Sequence, residues 1–249
     1  MSNKLEVKRV KDKDEFKFEL KKPLSNPDIL PDISKRLLFL IYGKVGSSKS
    51  TLLMNLLYNP NFFEGQFKTK FVISPTIFQD ATLWPLREDD EAVLIDEYSD
   101  AAIETIVDSQ KELLEMSNTP ELSTLILEDA LSDSATSSNN SAISKLATTY
   151  RHRYLNIFIV SQAVNQISSL IRANTRVIFV KKLGSTKEIN KFSDNFSDQI
   201  GGPKYFLRMY NYVFNKPENR YDMLYINLDR QEVYHNFDKL LYKDEKEYI

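Results

Sequence analysis

The feature that most constrains this chain is an apolar run that passes without a gap into a glycine- and serine-rich turn. Leu37-Leu38-Phe39-Leu40-Ile41-Tyr42 leads directly into Gly43-Lys44-Val45-Gly46-Ser47-Ser48-Lys49-Ser50-Thr51. A short continuous apolar run of this kind marks a strand buried on both faces. The turn matches the phosphate-loop template G-x-x-x-x-G-K-[ST], set after a strand and before a helix. Gly43, Lys49 and Ser50 fit the template, and Ser48 stands where the second glycine is expected. Glycines let successive backbone N–H groups turn inward around phosphate oxygens. The helix that follows aims its positive N-terminus at the same anion. In that setting Lys49 bridges the β- and γ-phosphates and the Ser50 hydroxyl binds Mg²⁺. Ser48 costs little if its φ is negative and more if the position needs the left-handed region. Lys44 is a second cation in the loop, read either as a nucleotide contact or as a solvated side chain.

Beyond the loop, strand and helix patterns alternate. Ser50–Tyr58 reads as a helix stopped by Asn59-Pro60, and Lys70–Pro75 as a strand. Ala101–Met116 has helical spacing and Leu122–Leu127 reads as a strand. A Ser/Asn/Asp-rich loop follows over Ser132–Ser144, then a helix over Ile143–Tyr150. Asn156–Ser161 and Thr175–Val180 read as strands, Ser185–Phe196 and Pro203–Phe214 as helices. A hairpin closes the series, Tyr221–Leu228 against Gln231–Tyr234 around Asp229-Arg230. The expected fold is α/β, with a mostly parallel central sheet flanked by helices and a small C-terminal hairpin. The polar stretch 1–34, with Pro23, Pro27 and Pro31, reads as an N-terminal arm, 35–236 as the folded domain, and 237–249 as a charged, frayed tail.

Composition narrows the chemistry. There is no cysteine and there are 2 histidines, so thiolate metal sites, cysteine catalysis and multi-histidine centres are excluded. The net charge of −2 is not that of a basic nucleic-acid coat, so any binding to phosphate backbones must come from locally concentrated charge. No apolar run approaches the roughly 20 residues of a membrane span, and no membrane partner is expected. The charged start, MSNKLEVKRVKDKDEF, is not expected to be a secretory signal.

A phosphate loop needs an acidic partner at the end of a nearby strand. Two segments compete. Ala92-Val93-Leu94-Ile95-Asp96-Glu97 has the expected letters in the expected order, whereas Thr124-Leu125-Ile126-Leu127-Glu128-Asp129 has the two acids reversed. Position favours the second, because it follows a further strand and a long helix and precedes strand 156–161, which ends in Ser161-Gln162. This is the order of the additional-strand (ASCE) type of P-loop NTPase, in which a polar residue at the end of the next strand senses the γ-phosphate. Asp96 and Glu97 are otherwise a solvated turn before a helix.

The spaced combination of Ile41–Thr51, Phe71–Thr76, Ile106–Glu112, Leu125–Asp129, Tyr150–His152, Ile159–Gln162 and Leu170–Asn174 resembles the viral genome-packaging ATPases of the FtsK–HerA superfamily, the poxvirus and virophage type. The resemblance spans roughly residues 36–190. It implies an ATP-driven motor that threads double-stranded DNA into a preformed capsid as a homo-oligomeric ring at a capsid or portal vertex. By position it makes Lys49 and Ser50 the holders of triphosphate and Mg²⁺, Glu128 the second metal ligand, Asp129 the group that aligns water, and Gln162 the γ-phosphate sensor. It also implies an arginine reaching a neighbour's nucleotide, with Arg151 ranked first, then Arg172, then Arg153. The chain departs from the family at Ser48, where glycine is usual, and at Glu128, where aspartate is usual. The expected location is the host cytoplasm, a viral factory or the virion.

No long basic stretch announces DNA binding. Lys181, Lys182, Lys187 and Lys191 form a modest cluster that copies around a ring would multiply. Two other functions fit parts of the sequence: a phosphate-loop kinase of a small-molecule acceptor, and a non-hydrolysing, nucleotide-dependent assembly protein.

Overall fold

A computed structural model of the protein describes residues 20–116, 121–130, 138–215 and 219–249. In chain order the strands are β1 Leu38–Tyr42, β2 Phe67–Ile73, β3 Ala92–Ile95, β4 Leu122–Glu128, β5 Leu155–Ser161, β6 Val177–Val180, β7 Leu224–Asn227, β8 Glu232–His235, β9 Lys239–Lys243 and β10 Lys246–Glu247. The α-helices are α1 Lys49–Tyr58, α2 Trp84–Arg87, α3 Asp100–Met116, α4 Ala142–Thr149, α5 Ser169–Asn174, α6 Thr186–Phe196 and α7 Pro203–Phe214. All strands join one sheet in the order β10-β9-β8-β7-β6-β1-β5-β4-β2-β3. β6, β1, β5, β4, β2 and β3 are parallel, and the pairs from β6–β7 outward to β10 are antiparallel. The mostly parallel sheet with a C-terminal antiparallel extension is the fold the sequence led us to expect.

Strand alternation divides the core into two layers. Leu38, Leu40 and Tyr42 of β1 face one side, against α3 to α7, while Phe39 and Ile41 face the other, against α1 and residues 24–33. Both layers are fully buried along β1, β4 and β5, which is why these strands read as unbroken apolar runs. Residues 20–34, the described part of the expected arm, pack on the sheet: Leu24, Leu30 and Ile33 are buried, and Arg230 donates to the carbonyls of Pro27, Asp28 and Leu30. The rest of the arm lies outside the described residues, as does 132–137 of the Ser/Asn loop.

The structure adds one strand and corrects one local reading. Ala92–Ile95 is an edge strand, parallel to β2. Only one side of it is paired, so its apolar residues are half-buried or exposed. The segment from 238 onward is not frayed. β9 pairs with β8, Leu241 and Tyr242 are buried, and Arg208 holds Glu247 at 2.7 Å. Its charged residues Asp244 and Glu245 form the turn to β10, with φ of 50° and 61°. Two successive left-handed residues are the geometry of a tight hairpin turn, usually signalled by Asn or Gly.

If the C-terminal strands belong to the folded core, Leu241→Ala should lower unfolding free energy by about 2–4 kcal/mol, as for other buried leucines. Denaturant unfolding checks this, and an unchanged midpoint would mean that the segment is dispensable.

Candidate nucleotide site

β1 delivers its chain end to the C-terminal edge of the parallel strands, where ligands of open α/β sheets bind. Residues 43–48 turn there and α1 begins at Lys49. Gly43 has to be glycine because a Cβ would meet the Lys181 Cβ at 2.6 Å and the Ser47 Oγ at 2.7 Å. Gly46 has φ of +72°. Ser48 sits at φ 64°, ψ 37°, in the left-handed region, so the residue that replaces the usual glycine carries the steric cost that glycine avoids. The loop closes on the Lys44 carbonyl, which accepts from the Ser47 hydroxyl at 2.7 Å and from the Lys49 Nζ at 3.1 Å. Among the described residues, the amides of Ser48, Lys49 and Ser50 have no backbone acceptor. They are the orphan donors of a helix start, open to an anion.

Glu128 ends β4, two places from β1 in the sheet, with β5 between them. Its side chain spans the gap. Oε1 accepts from the Ser50 hydroxyl at 2.8 Å, and Oε2 accepts from Ser74 at 3.1 Å and Thr76 at 3.3 Å. Glu128 is 1% exposed. Burial, and then the neighbouring Asp129, raise its carboxyl above the usual range, while the Ser50 and Ser74 hydroxyls pull the other way. Lys49 is also buried; burial pushes its ammonium down, and Asp129 and Glu128 oppose that shift. Asp129, at φ 47°, turns its carboxylate outward, where Oδ1 accepts from Gln162 Nε2 at 2.9 Å.

The structure therefore brings together Lys49, Ser50, Glu128, Asp129 and Gln162. A buried carboxylate against a hydroxyl at a helix start is a hard-oxygen donor pair that suits Mg²⁺. Among the described residues no group of three or more His, Cys, Asp or Glu could hold a metal ion by itself. Ser74 and Thr76 lie in the Phe71–Thr76 segment of the resemblance, which assigns them no role. They sit just past β2, and only the spatial neighbourhood of β2 and β4 gives them meaning.

Other candidates lie apart. Asp96 and Glu97 are exposed beyond β3, separated from β1 by β5, β4 and β2. The carboxylate that the Ser50 hydroxyl meets is Glu128. Arg151 and Arg153 precede β5, at the opposite end from Gln162. Seven strand residues span about 23 Å, so neither arginine reaches its own subunit's phosphate loop. Arg151 is exposed, stacks 5.7 Å from the Tyr150 ring and has no ion pair among the described residues. Arg172 is half-buried, donates to the Ile167 carbonyl, and burial lowers its pKa. Two lysines of the expected cluster are engaged within the fold: Lys181 is 2% exposed and bonded to the Tyr221 carbonyl at 2.8 Å, and Lys191 pairs with Glu188 at 3.2 Å.

Two stability effects follow. Ser48→Gly should stabilise the protein by about 1 kcal/mol, because glycine enters the left-handed region freely; a loss of stability would show that the serine side chain is needed. Glu128→Gln removes a buried charge whose folded pKa is raised. Sign: the cost of that charge is present above the folded pKa and disappears as pH falls below the unfolded value of about 4.3. Thermal melts should therefore place the variant above the wild type at pH 7, with the gap closing towards pH 4. A gap that is constant with pH would contradict this origin.

No family model matches the chain, and no curated protein matches it by sequence. Solved structures do. The genome packaging NTPase B204 of Sulfolobus turreted icosahedral virus 2, in complex with ATP-gammaS, aligns with a TM-score of 0.59 at 14% identity over 81% of this chain and 96% of that chain. Its complex with AMP aligns with a TM-score of 0.60 at 13% identity, again over 81% and 96%. The DNA-packaging ATPase B204 of Sulfolobus turreted icosahedral virus gives 0.57 at 14% identity over 80% and 95%. At these identities the likeness is one of fold: this chain has the P-loop NTPase fold of the viral genome-packaging NTPases, the group its motifs resemble.

Proposed function

We propose that the protein is an ATPase that translocates double-stranded DNA during packaging of a viral genome. The observation that carries this reading is the contact of Ser50 with Glu128, with Lys49 beside it and the Gln162–Asp129 pair at the rim. The B204 structures support it through their shared fold and through the nucleotides they hold.

In this reading the open amides of the loop and Lys49 bind the triphosphate, Lys49 leaving the Lys44 carbonyl for the β- and γ-oxygens. Ser50 and Glu128 would hold Mg²⁺, which would neutralise charge developing on the phosphates. Asp129, outward and solvent-facing, accepts a hydrogen bond from the attacking water, and Gln162 orients the same water. Loss of the γ-phosphate changes what Gln162 can bond, and the change passes down β5. In this reading Arg151, which is far from its own loop, serves a neighbouring subunit, while Arg172 holds the Ile167 carbonyl. Assembly into a ring then controls hydrolysis, and the ring encloses DNA.

Steady-state ATP hydrolysis, with and without double-stranded DNA, tests the reading. DNA should stimulate turnover, and Lys49→Ala should abolish it. Arg151→Ala should lose roughly 10³-fold in turnover, as for arginines supplied in trans, with nucleotide binding intact. Mixed with Lys49→Ala subunits, it should regain activity, because the two defects then lie in different copies. Turnover indifferent to DNA, or a mixture as inactive as its parts, would contradict the proposal.

A further inference from the structure

α3 and α4 leave a groove between them of about 410 Å³. Val107 and Leu146 lie in it, Glu104 and Asp108 stand on the α3 rim, and Lys145 and Arg153 stand on the other side. These four charged residues are exposed, and none has an ion pair among the described residues. Glu104, Asp108 and Glu112 follow one another at four-residue spacing, a row of like charges that weakens a lone helix. Such a row gains from a basic surface laid against it. The outer flank of the phosphate loop has that character. Val45 is 74% exposed and Tyr221 52%. Exposed Arg220 stacks 4.9 Å from the Tyr221 ring and has no ion pair among the described residues. Lys44, Val45, Lys182 and Arg220 border one surface cleft, so these basic and apolar side chains form a single patch.

We propose that the α3–α4 groove seats a second copy of this chain, which enters it with the loop flank that carries Val45, Arg220 and Tyr221. The inference rests on the ring reading above and names the surface which that reading needs. Apolar side chains meet, Val45 and Tyr221 over Val107 and Leu146, and Arg220 comes against Glu104 and Asp108. One molecule cannot join the two patches itself. The loop follows β1, with β6 on its flank, whereas α3 leads from β3 to β4 and α4 from β4 to β5, and one sheet holds these strands apart. Two different patches make a head-to-tail contact, which closes into a ring when the rotation between copies allows. The contact also completes the site. Arg151 stands two residues before Arg153 of the groove, so a copy seated there has its loop beside an arginine that its own chain does not supply.

The chain has no cysteine, so introduced thiols report this contact without background. Asp108→Cys and Arg220→Cys, both at exposed positions, should each run as a monomer on a denaturing gel after oxidation of the full chain with Mg²⁺ and a non-hydrolysable ATP analogue. Their mixture should give a cross-linked dimer, and the double variant a ladder of larger species that reduction collapses. Charge gives an independent readout by sedimentation. Asp108→Arg and Arg220→Glu should each weaken assembly by roughly tenfold or more, and the chain carrying both should recover it, because the pair is restored with its signs exchanged. A cross-linked dimer from either single cysteine variant would mean a two-fold contact between like patches and overturn the proposal. A wild type that assembles, with thiols that do not cross-link and assembly that ignores both charge reversals, would overturn this surface and leave the ring standing. A wild type that stays monomeric with the nucleotide analogue would overturn the ring as well.

Discussion

The structure turns on a carboxylate placed where it is electrostatically uncomfortable. Glu128 is buried beside Asp129 and reaches over β5 to the hydroxyl of Ser50 at the start of α1. Burial of a charge is costly unless it is paired and hydrogen-bonded. Here three hydroxyls supply hydrogen bonds, and Lys49, itself buried, is the nearby cation. The site is thus short of positive charge while rich in donors for an anion. In the proposed function, a divalent cation with a triphosphate would answer both needs.

Sheet order makes this arrangement. Because β5 lies between β1 and β4, their C-terminal ends present, side by side, the phosphate loop, the polar Ser161-Gln162 and the acidic pair. Glutamate is long enough to bridge the resulting gap while Asp129 turns out to the Gln162 amide. The antiparallel strands β7 to β10 extend the other flank, and through buried Lys181 they brace the far side of the loop. One edge of the parallel strands thereby carries the phosphate loop between two supported walls.

Much of this was legible in the chain. The central strands, buried on both faces, show as apolar runs, and the loop shows as its own template. Glu128 could be preferred over Asp96 from element order, because topology rather than letter order decides which acid meets the loop. What escaped was set by tertiary context. β3 is an edge strand whose short Ala-Val-Leu-Ile run stays half-exposed. The last hairpin uses Asp244 and Glu245 in left-handed geometry, so its charge looked like a tail. Lys181 looked like a surface cation, but it is buried because Gly43 admits its stem and the Tyr221 carbonyl accepts a hydrogen bond from its ammonium, and burial pushes its pKa down to about 8. Ser74 and Thr76 acquire a role only once β2 lies beside β4.

The claim that Glu128 is a buried, cation-seeking carboxylate is tested most directly by its own titration. Carbon-13 NMR of the glutamate side-chain carboxyls, assigned with Glu128→Gln, would follow it with and without Mg²⁺ and a non-hydrolysable ATP analogue. The account predicts a midpoint above the ordinary glutamate range in the free protein and a fall well below that range once the Mg²⁺-nucleotide is bound. An ordinary midpoint in the free protein, or one that does not move on binding, would contradict it.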